Sequence, residues 1–158
     1  MRDEGLHIRR YELDDHEAIW NLRNEALNDV GAHLGNGPWD EDLHDIENVY
    51  LENGGEFLVG VQEEKIVAMG ALRRVPEERA GITRMRVAPW LQGQGIGQRL
   101  LDTLHRRATE LGYTTLQLDT TVQQFAARHL YERNGYHEVW RGTVGQFECL
   151  YYEGRPDA

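Results

Sequence analysis

The sequence has little cysteine and no long apolar run. Its single cysteine, Cys149, excludes an intramolecular disulfide and a zinc site built from several cysteines. No stretch approaches the ~18 consecutive apolar residues of a membrane-spanning helix, and the polar residues 1–4 lack the pattern of a signal peptide. These absences predict a protein of the reducing cytoplasm without a membrane partner.

Positive charge is also scarce, and lysine is nearly missing. Lysine and arginine number 17 against 27 acidic residues, which gives a net charge of −10, and Lys65 is the only lysine. A duplex-binding surface needs clustered excess cations, so nucleic acid is not an expected partner. The acidic, arginine-dominated composition fits a GC-rich genome or a salt-rich cytoplasm, and both stay open. The seven histidines show no metal-ligand spacing, so no metal is expected.

Strand and helix patterns alternate along the chain. The 158 residues, 40% of them apolar, suffice for one domain with a packed core, and residues 1–158 are assigned to it. Strands are predicted at 8–13, 57–62, 66–73, 82–87, 115–120, 137–141 and 146–152. Helices are predicted after a capping box of Asp14 and Glu17, before Gly54, and at 97–111 and 123–133. The expected class is α/β, with a mixed central sheet of about six or seven strands and helices on both faces.

A glycine-rich turn between the strand at 82–87 and the next helix carries the clearest chemical signal. Gly93, Gly95 and Gly97 have no side chains to cover the main chain, so successive N–H groups can point into one concavity. The helix behind them adds its free N–H groups and the positive end of its dipole. The turn predicts a pyrophosphate site without lysine, although a sharp strand-to-helix turn would need the same glycines.

Two better-known phosphate loops do not match this segment. A Walker loop requires Gly-Lys-Ser/Thr, and the segment has no lysine. A dinucleotide-binding turn requires glycine where Gln98 stands, although Asp119, 22 residues after Gly97, imitates a ribose-binding acid. A dinucleotide-binding oxidoreductase is therefore kept only as an alternative.

Two segments resemble those of the GNAT N-acetyltransferase superfamily. Its acyl-CoA motif, Gln/Arg-x-x-Gly-x-Gly/Ala after the fourth strand, is matched by Gln92, Gly95 and Gly97. Residues 127–136, Ala-Arg-His-Leu-Tyr-Glu-Arg-Asn-Gly-Tyr, are similar to its Ala-x-x-Leu-Tyr-Glu-x-x-Gly-Phe segment. The order of elements agrees as well, so the likeness covers nearly the whole chain.

The resemblance implies acetyl-CoA as the acyl-donor cosubstrate, held where the fourth strand bulges and separates from the fifth. The main chain of Met85, Arg86 and Val87 would pair with the pantetheine arm. The pyrophosphate would lie on the segment formed by Gln92, Gly93, Gln94, Gly95, Ile96, Gly97 and Gln98. Gln124 stands where an asparagine usually contacts coenzyme A.

The resemblance also implies direct attack of a neutral amine on the acetyl thioester in a ternary complex. Tyr131 matches the superfamily's tyrosine near the sulfur, which acts as general acid; the alternative is that it only packs under the last strands. The base is less defined, because Gly81 occupies the position at which many members carry a glutamate. The remaining candidates are Asp119, Glu25 and Glu78. The missing glutamate makes a non-catalytic acyl-CoA-binding sensor the second functional candidate.

The acceptor is expected to be a primary amine of a small molecule, contacted by the loop 28–39 and the last strands. An acidic run would attract a polyamine or an aminoglycoside, unless it is a solvated helix face. It comprises Asp40, Glu41, Asp42, Asp45 and Glu47. Three arginines, Arg73, Arg84 and Arg86, would instead bind a carboxylate, as in an amino acid. The sequence does not decide between these acceptors, and it leaves a homodimer open.

Overall fold

The structure, a computed structural model, describes residues 5–29, 42–76 and 78–157, and only the main chain of residues 25–29. The described strands are β1 Leu6–Arg10, β2 Glu56–Gln62, β3 Lys65–Val75, β4 Arg79–Val87, β5 Thr115–Thr121, β6 His137–Val144 and β7 Phe147–Gly154. The longer helices are α1 His16–Asp29, α2 Ile96–Leu111 and α3 Phe125–Arg133. Short helical turns lie at Leu13–Asp15, 42–44, Glu47–Leu51 and Pro89–Leu91.

The strands form one mixed sheet in the order β1-β2-β3-β4-β5-β7-β6. Neighbouring strands are antiparallel except β4 and β5, which are parallel and joined through α2. Both α1 and α2 pack on β3 and β4. Residues 67–72 of β3 are all buried, and successive strand residues alternate between faces, so both faces of the sheet are covered. The predicted α/β fold class is confirmed.

β4 and β5 pair along only a short stretch. Residues 79–81 of β4 pair with residues 115–117 of β5, and beyond this point the pairing of β5 among the described strands is with β7. β4 stays paired with β3 as far as Val87, and on its other edge none of the described strands pairs with residues 82–87. We call the space between residues 82–87 of β4 and 118–121 of β5 the wedge. It matches the separation of these strands that the resemblance implies.

A bulge in β4 shapes the wedge. Between two successive pairs, β3 has one residue, Gly70, whereas β4 has two, Arg84 and Met85. The extra residue Arg84 has a φ of 58°, in the left-handed region. A Cβ atom on Gly70 would lie 2.5 Å from Met85 Sδ, so the glycine leaves the space that this side chain fills.

The N-terminal capping prediction was wrong. The capping box before α1 is formed by Glu12 and Asp15 rather than by Asp14 and Glu17. The Glu12 N–H donates to Asp15 Oδ2 at 2.8 Å, and the Arg9 guanidinium holds the same carboxylate at 2.8 and 3.0 Å. Because this turn starts at residue 12, the first strand ends at residue 10 instead of residue 13.

In the described residues the predicted second helix is a short 3₁₀ turn at 42–44 followed, after residue 45, by a helical turn at 46–51 that includes Glu47–Leu51. The Glu52 N–H reaches back five residues to Glu47 O at 2.7 Å, which widens the turn. The predicted apolar side is nevertheless buried at Leu43, Ile46 and Tyr50. The predicted acceptor loop 28–39, from residue 30 onward, and the acidic residues 40 and 41 lie outside the described residues.

Candidate active site

A cavity of about 390 Å³ lies at the wedge and extends from β4 across the start of α2 to α3. We call it the wedge cavity. Of the residues predicted to bind the cofactor, all except Gln94 line it. They are Met85, Arg86, Val87, Gln92, Gly93, Gly95, Ile96, Gly97, Gln98, Gln124 and Tyr131. The fold thus brings the glycine-rich turn and the 127–136 segment to one place.

The glycine-rich turn offers its main chain to the wedge cavity. Gly93 and Gly95 both have a φ of 83°, and a Cβ atom at either position would meet nothing within 4 Å. The first hydrogen bond of α2 runs from the Arg99 N–H to Gly95 O at 3.1 Å, so the N–H groups of residues 96–98 have no acceptor within the helix. We call residues 92–98 the glycine cradle. Open space, free N–H groups and a helix dipole fit a bound diphosphate.

The main chain of β4 borders the wedge next to the glycine cradle. Met85 O accepts a hydrogen bond from Arg86 Nη1 at 2.7 Å, and Val87 O accepts one from Gln92 Nε2 at 3.4 Å. Carbonyl groups two residues apart point to the same edge of a strand, and the opposite edge of β4 is paired with β3. An extended ligand chain in the wedge would replace these two side-chain donors.

Gln124 lines the wedge cavity, but half of its side-chain amide is already engaged. Its Oε1 accepts hydrogen bonds from Thr120 Oγ1 at 2.9 Å and from the Thr121 N–H at 3.1 Å. These bonds close the turn between β5 and α3. Only the Nε2 group of Gln124 is therefore left to donate to a ligand.

Tyr131 of α3 is a buried wall of the wedge cavity. The residue is 5% exposed, and its ring packs edge-on against Tyr136 with 5.7 Å between the ring centroids. Its hydroxyl has no hydrogen-bond partner within the part of the chain that the structure describes. Burial raises the pKa of Tyr131, and the charge of Arg86 opposes the rise. The phenol is therefore protonated at neutral pH and able to donate.

Asp119 lies on β5, on the other side of the wedge. The residue is exposed, but the surrounding protein desolvates its carboxyl group enough to raise the pKa of Asp119. The positive charge of Arg86 opposes this rise. Asp119 and Arg86 also both act on the pKa of Tyr131. The three groups are thus within electrostatic range of one another.

Arg86 supplies the cation of this group. Its Nε is buried and has no hydrogen-bond acceptor in the described residues. Burial and the positive charges of Arg84 and Arg23 lower the pKa of Arg86 to about 10, which keeps it charged at neutral pH. The sequence predicted a main-chain contact for this residue and a carboxylate-binding role shared with two other arginines. It did not predict the position of the guanidinium beside Asp119 and Tyr131.

A buried ion pair between Arg84 and Asp42 changes both predictions about acceptor charge. Arg84 Nε donates to Asp42 Oδ2 at 3.0 Å, and Nη2 donates to Oδ1 at 2.5 Å. Tyr50 donates to the same carboxylate at 2.5 Å. Burial alone would raise the pKa of Asp42, but the bonds from Arg84 outweigh it and the pKa is lowered. Asp42 is therefore not part of an exposed acidic surface, and Arg84 is not available to a substrate carboxylate.

Among the predicted bases, Asp119 borders the wedge on β5 and acts on the pKa of Tyr131, although it is not among the residues that line the wedge cavity. Gly81 is the last β4 residue paired with β5 and brings no side chain there. Glu78 is exposed, does not line the wedge cavity, and its carbonyl oxygen accepts the Thr114 N–H at 3.1 Å. The side chain of Glu25 lies outside the described residues.

A second cavity, of about 580 Å³, shares no lining residue with the wedge cavity. It lies against His16 and His44, and the exposed Asp45 and Glu47 of the acidic run contribute to its wall. Within residues 5–29, 42–76 and 78–157, no group of three His, Cys, Asp or Glu side chains is placed to hold a metal ion. No described helix has the length and apolar character of a membrane span.

A glycine cradle that continues into a gap between two splayed parallel strands is the arrangement that the resemblance to the GNAT superfamily implies for an acyl-CoA site. The family model for the acetyltransferase (GNAT) family matches residues 16–136. The chain belongs to this family and is an N-acetyltransferase.

Relatives and solved structures agree with this assignment. The uncharacterized N-acetyltransferase YjgM of Escherichia coli (strain K12) is 26% identical over 149 residues, 90% of this chain and 89% of that protein. N-acetyltransferase 8 of Homo sapiens is 34% identical over 132 residues, 75% of this chain and 56% of that protein. The fold matches a GNAT acetyltransferase from Staphylococcus aureus Mu50 with a TM-score of 0.88 at 22% identity, over 96% of this chain and 99% of that chain. YncA of Salmonella typhimurium, solved with its cofactor acetyl-CoA, matches with a TM-score of 0.80 at 19% identity, over 98% and 95% of the two chains.

The alternative of a dinucleotide-binding oxidoreductase is wrong. That fold needs a doubly wound sheet of mostly parallel strands. In the described sheet only β4 and β5 are parallel. The resemblance of Asp119 to a ribose-binding acid is a coincidence of spacing.

Proposed function

We propose that this N-acetyltransferase transfers the acetyl group of acetyl-CoA to a primary amine of a small molecule by direct attack in a ternary complex. The observation that carries the proposal is the wedge cavity, in which the glycine cradle, the unpaired edge of β4 and the Tyr131 side chain meet. One ligand that fills this cavity therefore contacts all three.

The chain's own main-chain groups hold the acyl donor. When bound, acetyl-CoA supplies an activated acetyl thioester. The N–H groups of residues 96–98 and the positive end of α2 bind its diphosphate, so no lysine is needed. The edge of β4 at Met85 and Val87 pairs with its extended arm, which displaces the donors Arg86 Nη1 and Gln92 Nε2.

Tyr131 is the general acid of the proposed reaction. Because burial raises its pKa, the hydroxyl carries its proton at neutral pH and has no competing hydrogen bond to the described residues. Donation leaves a phenolate, which is costly in a buried position. The nearby Arg86 guanidinium offsets part of this cost, since its charge favours the ionised form.

Asp119 is the general base of the proposed reaction. Its raised pKa makes it a stronger base than an exposed aspartate, and it shares the wedge with Tyr131. The N–C bond forms while the C–S bond breaks. One proton of the acceptor ammonium passes to Asp119, and the Tyr131 proton passes to the sulfur. The second ammonium proton restores Tyr131, and Asp119 releases the proton that it accepted to solvent, so both groups return to their starting states.

Release of free thiol in a panel of primary amines tests this function. We expect thiol to appear only when acetyl-CoA and an acceptor amine are both present. A non-catalytic sensor is the second candidate, favoured by the missing side chain at Gly81. It predicts that acetyl-CoA raises the unfolding temperature while no amine releases thiol.

A further inference from the structure

Arg86 has more hydrogen-bond donors than the described residues satisfy. A guanidinium carries five N–H donors. In Arg86, Nη1 donates to Met85 O at 2.7 Å, whereas the buried Nε has no acceptor. No described acid forms an ion pair with Arg86, although Asp119 is within electrostatic range. Buried donors are nearly always paired in folded proteins, so this group calls for an acceptor from outside the described chain.

Two other arginines lie within electrostatic range of Arg86. The charges of Arg84 and Arg23 both act on Arg86. Asp42 neutralises Arg84 through two hydrogen bonds. Arg23 is 2% exposed and carries its charge on α1, where it donates to Asn24 Oδ1 at 2.8 Å. The Arg86 guanidinium itself has a buried donor without an acceptor and no carboxylate bonded to it among the described residues, and such a group favours an anionic ligand.

The anion site coincides with the reaction site. Arg86 and Tyr131 both line the wedge cavity, and Asp119 is close enough to influence the pKa of each. A ligand there meets the Arg86 guanidinium, which can bind an oxyanion, while Asp119, the base proposed above, acts electrostatically on both Arg86 and Tyr131. Arginine suits this task because its planar donors match the two oxygens of a carboxylate.

We propose that Arg86 binds the carboxylate of the acceptor, so that the enzyme acetylates primary amines that carry a carboxylate near the amine, as amino acids do. This proposal rests on the function proposed above and names its substrate class. A polyamine fits less well, because its second ammonium would meet Arg86, and because Asp42 of the acidic run is already paired with Arg84.

Matched acceptors test the proposal on the wild-type enzyme. Several amino acids are each compared with their amide and with the amine left after removal of the carboxyl group. The amide is the decisive comparison, because the pKa of its amino group is lower than that of the amino acid and a larger fraction of it is therefore free amine. On that ground alone the amide should react faster. We expect kcat/KM for the amino acid to exceed that for its amide by about 10- to 100-fold, the range for hydrogen bonds to a charged group. Equal or reversed values for every pair would overturn the proposal and leave the proposed function standing.

Substitutions at Arg86 then assign the preference to this side chain. In Arg86→Gln the ratio of kcat/KM between each amino acid and its amide should fall towards 1, whereas Arg86→Lys should keep part of it. The ratio cancels any effect that the substitution has on cofactor binding. Arg106→Gln, at an exposed arginine of α2, removes the same charge outside the wedge cavity and should leave the ratio unchanged. An unaltered ratio in Arg86→Gln would overturn the proposal. Binding of acetyl-CoA without acetylation of any amine would overturn the proposed function and this inference together.

Discussion

The side-chain amides of Gln98 and Asn134 exchange two hydrogen bonds of 2.8 Å. Gln98 lies in the first turn of α2, within the glycine cradle, and Asn134 closes the last turn of α3. Asn134 Nδ2 also donates to Leu130 O at 2.7 Å. The pair therefore joins the proposed diphosphate site to the helix that carries Tyr131, and it leaves the Gln98 main chain as the group available to a ligand.

Asn134→Ala should weaken both the fold and the binding of acetyl-CoA. Loss of the amide pair and of the bond to Leu130 O should cost about 1–2 kcal/mol of stability, and the freed first turn of α2 should bind the diphosphate less tightly. Thermal unfolding and calorimetric titration with acetyl-CoA measure the two effects. Asn48→Ala, which removes an exposed asparagine, is the control. Unchanged unfolding temperature and affinity in Asn134→Ala would show that the pair does not couple the helices.

Gly95→Val should abolish acetyl-CoA binding while the protein stays folded. The left-handed φ of 83° strains a β-branched residue, and the new side chain would project into the open space of the glycine cradle. We expect the dissociation constant to rise by about 100-fold or more.

Gly112→Val is the matched control for the glycine cradle. Gly112 has a φ of 90°, an equally open Cβ position and the same helix, but it caps the opposite end of α2. Its substitution should cost similar stability, about 1–3 kcal/mol, without changing the affinity for acetyl-CoA. Equal affinities in the two variants would remove the glycine cradle from the binding site.

Tyr131→Phe should lower kcat by about 10²- to 10⁴-fold with little change in the KM for acetyl-CoA. The substitution keeps the ring packing against Tyr136 and removes the hydroxyl alone. Steady-state kinetics under conditions in which chemistry limits the rate measure the effect. Tyr113→Phe is the control, because the Tyr113 hydroxyl bonds Gly54 O away from the wedge cavity. A near-normal kcat in Tyr131→Phe would mean that the thiolate leaves without this proton.

Asp119→Asn should make the protein more stable at neutral pH and less active. The pKa of Asp119 is raised in the folded state, so the folded protein holds this proton more tightly than the unfolded chain does. The ionised carboxyl therefore costs stability above its folded pKa, and the cost disappears as the pH falls below the ordinary aspartate pKa of about 3.9.

Thermal unfolding from pH 3 to pH 8 measures this effect. The unfolding temperature of Asp119→Asn should exceed that of the wild type at pH 7–8 and converge with it at the acidic end, while kcat/KM falls at neutral pH. A lower unfolding temperature at neutral pH would show that the ionised carboxyl stabilises the fold through Arg86. In that case the ionised Asp119 carboxyl would not destabilise the folded protein, contrary to the prediction.

Local patterns in the sequence predicted many of the residues that line the wedge cavity, whereas their roles stay predictions. Gly93 and Gly95 mark a turn whose positive φ angles few other residues adopt, and the segment around Tyr131 has a recognisable spacing. The family, the fold class and acetyl-CoA as acyl donor were predicted from these residues and are confirmed. The homodimer, the cytoplasmic location and the single domain stay predictions.

Features that depend on tertiary contacts could not be predicted. The bulge at Arg84 places a non-glycine residue at positive φ, so no composition signal marks it. Its consequence is the ion pair with Asp42, across 42 positions of the chain. The amide pair of Gln98 and Asn134 spans 36 positions and joins two residues that the sequence shows as ordinary helix polar groups.

Acetyl transfer to an amine is the central claim, and mass balance tests it most directly. The wild-type enzyme is incubated with acetyl-CoA and an amino acid, and free coenzyme A and the N-acetylated product are both counted by mass spectrometry over time. The account predicts equal amounts of the two products, formed far more slowly by Tyr131→Phe. Tight binding of acetyl-CoA with neither product formed, for every amine offered, would contradict it.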